Sequence, residues 1–139
     1  MKGTALLIAT VLLTACAAQD PAEEQSTQDM TQAVRDFIDV RELKEVSRLS
    51  TSHADRWVAL DPFFLLYTGR RETHLVEFNR RCWELDDNSR IVPDVRRGGS
   101  HIHARFDTIR GCRIHKLFEL TEHDIAELEN IGEAVGSRN

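Results

Sequence analysis

Side chains able to do chemistry are most concentrated in His101-Ile102-His103-Ala104-Arg105-Phe106-Asp107. Alternation along this run predicts a strand, with Ile102, Ala104 and Phe106 on the core face and His101, His103, Arg105 and Asp107 on the other. Two histidines at i and i+2 on one sheet face can begin a metal site, with His115 or His74 as a third ligand. A stable site needs three or four converging donors, and spacing secures only two. Asp107 could act as a base beside a histidine, which would make the chain a hydrolase. No GxSxG, HExxH or phosphate-cradling glycine loop accompanies it. The strip therefore reads first as solvated sheet surface and next as a binding strip for a ligand or partner. Metal binding through His101 and His103 is an alternative, and catalysis comes last. No cofactor is expected.

The three cysteines divide into one and two. Lys2 follows Met1, and Ala5 to Leu13 is apolar apart from Thr10. This run fits the apolar core of an export signal and is too short to span a bilayer. It ends in Leu13-Thr14-Ala15-Cys16, which resembles the lipobox of bacterial lipoproteins. That resemblance implies a signal peptide over residues 1–15 and a lipidated Cys16. Several acyl chains hold a protein far more firmly than one, since each buried CH₂ contributes about 0.8 kcal/mol. Ala17, rather than Asp, after the cysteine favours the outer membrane by likeness to known sorting rules. The competing reading is a plain cleaved signal using Ala15, Ala17 and Ala18 as its small residues. Cys82 and Cys112 then remain, and an even count in an oxidising periplasm favours a disulfide over two separate buried thiols. Such a bridge is worth about 2–4 kcal/mol.

Gln19 to Asp29 has only Ala22 as an apolar residue, so residues 16–29 read as lipidated cysteine and flexible tether. Residues 30–139 read as one α+β domain. Within it, Met30, Val34, Phe37 and Ile38 have helical spacing, but Phe37-Ile38-Asp39-Val40 also suits a strand, and periodicity leaves residues 34–49 open. Trp57 to Leu60, Phe63 to Tyr67 and Thr73 to Phe78 are apolar runs separated by Asp61-Pro62 and Thr68-Gly69-Arg70-Arg71, which predicts an antiparallel meander. A helical turn is expected over Arg80 to Leu85. Pro93 places Ile91 to Val95 at a sheet edge or bulge. A last strand runs from Cys112 to about Phe118. Thr121 then caps the clearest helix, with Glu122 and Asp124 in its first turn and Ile125, Leu128, Ile131 and Val135 along one stripe. The aromatic residues sit mostly in apolar runs and read as core.

Charge narrows the partner class. The formal net charge of −5 argues against a general nucleic-acid binder. Residues 90–116 hold seven Arg or Lys against Asp94 and Asp107, whereas residues 117–139 hold six acids against Arg138. Mutual neutralisation is expected, with the acidic helix near the basic strands. A sharper reading makes the basic segment, extended by Arg70-Arg71 and Arg80-Arg81, a patch for an anionic lipid or another envelope component.

RWVALDPFFLLYTGRRETHLVEFNRRCWEL and RFDTIRGCRIHKLFEL resemble a family of small predicted lipoproteins and exported proteins of Gram-negative bacteria, catalogued as a domain of unknown function. The likeness spans roughly residues 36–135. Its most specific elements are His74 to Phe78 followed by Cys82, and Phe106-Asp107 followed by Gly111 to Ile114; His74 departs from the tyrosine expected there. The resemblance implies the compartment, the fold and the Cys82–Cys112 pairing. It implies no activity. The expected protein is thus a small antiparallel β-sheet with a C-terminal helix and one disulfide, anchored by lipid at the periplasmic side of the outer membrane. It would act as a non-catalytic binding or structural envelope module.

Overall fold

A computed structural model describes residues 21–51, 56–85, 93–94 and 100–136. The expected signal peptide, Cys16, Ile91, Val92 and Val95 lie outside the described residues. Among the described residues the chain forms two helices, α1 (Pro21–Arg41) and α2 (Glu122–Gly136), and between them in sequence nine strands: β1 (Glu45–Val46), β2 (Arg48–Ser50), β3 (Arg56–Ala59), β4 (Phe64–Thr68), β5 (Thr73–Phe78), β6 (Pro93–Asp94), β7 (His101–His103), β8 (Thr108–Ile109) and β9 (Cys112–Leu120). No helix among the described residues is long and apolar enough to cross a membrane.

The open segment 34–49 is helix, then strand. The stop signal is local: Glu42 adopts a left-handed φ of 48°, Leu43 N donates to Ile38 O, and Glu42 N donates to Asp39 O. This is a Schellman cap built without glycine. Leu43 and Ile38 both pack against the same core, supplying its apolar clasp. The helix also begins earlier than the tether reading allows. Pro21 starts it, Glu23 and Glu24 occupy the first turn, and Gln25 Nε2 donates to Asp29 Oδ1 at 3.0 Å. Proline and acids suit a helix start, and extending an existing helix is far easier than nucleating one. Residues 21–29 are therefore helical rather than flexible. They remain outside the core, whose first buried residue among the described ones is Met30.

The meander is as expected. β3, β4 and β5 pair antiparallel in sequence order, and β5 continues onto β9, whose far edge carries β8 and β1. Pro93 lies in β6, the terminal strand of this seven-stranded sheet. Asp61 shapes the β3–β4 turn: its Oδ1 accepts Phe63 N and Phe64 N, and its Oδ2 accepts the Thr31 hydroxyl of α1. Burial nevertheless pushes the Asp61 carboxyl above its usual range, against those bonds.

Both faces of the sheet are covered, which explains why most residues of β4 and β5 are buried. On one face Phe64, Leu75, Phe118 and Leu120 meet Met30, Val34 and Phe37 of α1 and Leu128 of α2. On the other, Leu65, Val76, Leu117 and Ile114 pack beneath Leu49 and Ile102 of the β2–β7 ribbon, together with Cys82 and Cys112. Each such fully buried side chain contributes about 1.5–3 kcal/mol. The two cysteines form a disulfide with Cα atoms 5.8 Å apart.

α2 begins with a reciprocal cap. Asp124 N donates to Thr121 Oγ1, while Asp124 Oδ2 accepts both the backbone N–H and the hydroxyl of Thr121. Arg41 closes the other oxygen at 3.0 Å. Burial alone would raise the Asp124 carboxyl; the Thr121 bonds and Arg41 outweigh it and hold the group below its usual range. The acids of α2 thus meet α1, not the basic strands. Glu45 serves those strands instead, 3.5 Å from Arg105 and 3.8 Å from Lys116. The expected contact between acidic helix and basic segment is replaced because α2 packs on the face opposite the ribbon.

Candidate functional site

β7 pairs with β2 over only three positions, Arg48↔His103, Leu49↔Ile102 and Ser50↔His101. The chain then leaves extended geometry. Ala104 N donates to Ser47 O, Arg105 takes a left-handed φ of 68°, and Arg105 N donates to Ile114 O. Asp107 locks the turn from both sides: its N donates to His103 O at 3.1 Å, and its Oδ2 accepts His103 N at 2.7 Å. The strand expected over His101–Asp107 is therefore a three-residue strand plus a tight turn. Ile102 and Ala104 are core as predicted, but Phe106 is 83% exposed. No glycine, proline or asparagine marks the turn, and an aspartate bonding backward to the backbone is a weak sequence signal.

This geometry does not hold the four predicted strip residues in one row. His101 is half-buried with Nδ1 3.1 Å from Ser100 Oγ, and His103 is exposed opposite Arg48. Arg105 is exposed beside Glu45, and Asp107 is occupied by the backbone rather than by a histidine. His115 is the extra residue of a bulge, and His74 is buried on the main sheet. Among the described residues, the set of three donor side chains whose ligating atoms lie within 4.8 Å of one another is Cys82, Glu84 and Cys112, and both cysteines are committed to the disulfide. The histidines belong to no such set.

The turn does form one wall of a groove of about 410 Å³, lined by Glu45, Val46, Ser47, His103, Ala104, Arg105 and Phe106. An exposed ring, a guanidinium and an imidazole border it, without a nucleophile paired to a base. Sequence reasoning missed Phe106, assigned to the core, and the Glu45–Ser47 wall, which carries no motif. A left-handed non-glycine residue has a cost, and here that cost presents Arg105 and Phe106 to solvent.

A family model described as "Family of unknown function (DUF6491)" matches residues 1–133. The chain belongs to this family. No curated protein and no solved structure matches it. The resemblance to a family of unknown function is thereby met.

In this DUF6491 chain, His74 stands where a tyrosine was expected, 3% exposed, with its ring centroid 6.0 Å from that of Tyr67. Its Nδ1 has no hydrogen-bond partner among the described residues, and its Nε2 lies 3.9 Å from Glu72 Oε2. Burial pulls the imidazole below its ordinary value of 6.5, against the attraction of Glu72 and Glu119. The unfolded chain then takes up a proton near pH 6.5 that the folded chain resists. Stability is expected to be full above that pH and to fall as pH drops through it. Urea unfolding of wild type and His74→Phe across this range checks the linkage. The variant should lose that part of the pH dependence, and parallel curves would refute the assignment.

Proposed function

We propose that this DUF6491 chain is a lipid-anchored periplasmic module of the bacterial outer membrane. It acts without catalysis, by docking another envelope protein on the 103–107 turn. The anchor reading rests on Lys2, the apolar run Ala5 to Leu13 and Leu13-Thr14-Ala15-Cys16. The Cys82–Cys112 bridge supports an oxidising compartment. The observation that carries the docking reading is Phe106, an aromatic side chain 83% exposed on a turn locked by Asp107. Exposed aromatics beside arginine are the residue types that dominate protein interfaces. The groove and Arg105 call for a partner that presents an apolar side chain next to an acid.

A photo-crosslinker at position 106 in cells tests this, with the mass of the amino-terminal peptide reporting acylation of Cys16. A discrete adduct is expected, and Arg105→Glu should abolish it. Phe106→Ala should weaken the purified complex by about 2 kcal/mol or more, roughly thirtyfold in affinity. An adduct pattern indifferent to Arg105→Glu would sink the docking reading, and an unmodified amino terminus would sink the anchor.

A further inference from the structure

A second concave surface lies at the tip of the β4–β5 hairpin. Thr68 pairs with Thr73, and Gly69 N donates to Glu72 O at 2.9 Å, leaving Arg70 and Arg71 exposed at the apex. They border a pocket of about 350 Å³ together with Ser50, Tyr67, Gly69 and Glu72. Neither arginine has an ion-pair partner among the described residues, whereas Lys44, Arg41, Arg80, Arg105 and Lys116 each do.

The floor of this pocket is built rather than incidental. Tyr67 is buried, and its hydroxyl donates to Ser50 O at 2.6 Å. Gly69 approaches so closely that a Cβ there would sit 2.7 Å from the Tyr67 hydroxyl, so the apex cannot carry a side chain at this position without moving. Glu72, the acid on the rim, has its carboxylate 3.9 Å from His74 Nε2. What remains at the mouth is two adjacent guanidinium groups without an ion-pair partner among the described residues, beside Glu72 and over the Tyr67 ring, in a volume within the small-ligand range.

We propose that this hairpin tip binds a phosphate-type oxyanion, with Arg70 and Arg71 as its charged donors. The guanidinium fork matches two oxygens of a phosphoryl group at once, which suits it to this ligand better than a lone ammonium would. The placement also bears on the source. The middle of α1 meets the opposite end of the sheet, where Thr31 donates to Asp61, and its last residue, Arg41, meets Asp124 at the hairpin's end. The helix therefore starts away from the hairpin, which shares its end with Leu120 and the start of α2. If Cys16 carries the anchor proposed above, the chain reaches the bilayer from the end of α1 remote from the hairpin. A free phosphate or phosphate ester in the aqueous phase is then favoured over a headgroup of that bilayer. The site itself does not depend on the anchor.

The full purified chain, titrated with inorganic phosphate and separately with a short-chain, monomeric phosphatidylglycerol, provides the test. Amide shifts in a ¹⁵N–¹H correlation spectrum locate the response. Saturable shifts of Gly69, Arg70, Arg71 and Glu72 are expected. Arg71→Gln should weaken binding about tenfold and the Arg70→Gln/Arg71→Gln double variant should abolish it. These residues are exposed, so the variants should fold, which the unchanged remainder of each spectrum verifies. A response to both probes or to phosphate alone supports a general phosphoryl site; a response to the lipid alone supports a headgroup site. No saturable shift with either probe, or shifts that persist in the double variant, overturns the proposal. Phe106→Ala should leave this binding unchanged, so the docking reading and the anion site fail separately.

Discussion

Replacing Cys82 and Cys112 together by alanine is expected to lower the unfolding free energy by about 2–5 kcal/mol. The bridge joins residues 30 apart in sequence and lies wholly within the core beneath the ribbon. It fastens the segment after β5 to the first residue of β9. Besides the bridge, Cys82 N donates to Pro62 O, Asn79 N donates to Arg113 O, and the single 3₁₀ turn Trp83–Leu85 seats Leu85 in the same core. Trp83 is 50% exposed, with the Arg81 guanidinium 4.0 Å from its ring centroid. The closed loop also contains β6, β7, β8 and the 103–107 turn, so opening the bridge should loosen the docking surface with the core. Urea unfolding of the oxidised wild type and the double variant measures the loss. An unchanged midpoint would mean that packing alone holds the 79–85 segment, and that the cysteines are dispensable to the fold.

The parts of this fold legible in the sequence are those whose punctuation and periodicity agree. Asp61-Pro62 and the Gly69 turn divide the meander correctly, and Thr121 with Asp124 announces α2 because its cap is written in side chains. The parts that were not legible end by backbone means. α1 stops at Glu42 in a left-handed conformation, and β7 stops at a turn whose strained residue is Arg105. Neither position carries glycine, so composition gives no warning. The disulfide was expected from cysteine count, compartment and family resemblance. The histidine strip dissolved for a geometric reason: a period of two assigns faces only while the strand lasts, and β7 lasts three residues. Phe106 consequently moved from presumed core to the most exposed large apolar side chain described. Tertiary coverage, invisible in a local pattern, decided the rest. Glu45 rather than α2 neutralises the basic strands because the sheet stands between them.

His115 separates these two kinds of information most sharply, and both its deletion and its replacement by alanine are expected to leave the fold and the bridge in place. β5 pairs Glu77 with Lys116 but Phe78 with Ile114, leaving His115 as an unpaired bulge residue. The bulge is what allows Cys112, Ile114 and Leu117 all to face the ribbon-side core, a spacing that a regular strand cannot produce. The His115 side chain points to solvent, so His115→Ala should change stability by no more than about 0.5 kcal/mol. Deleting the residue restores strict alternation. Ile114 then stands two positions from Leu117 and Cys112 four, so with Leu117 held by its pairing to Val76 both keep the ribbon-side face, and Lys116 and Ile114 stay opposite Glu77 and Phe78. The deletion chain should therefore remain folded by circular dichroism and keep the Cys82–Cys112 bridge, as His115→Ala should. A largely unfolded deletion chain with free thiols would show that the local bend and twist of the bulge, and not face alternation alone, seat β9 against β5. If His115→Ala proved damaging, the imidazole itself would hold a role that its exposed position on β9 gives no reason to expect.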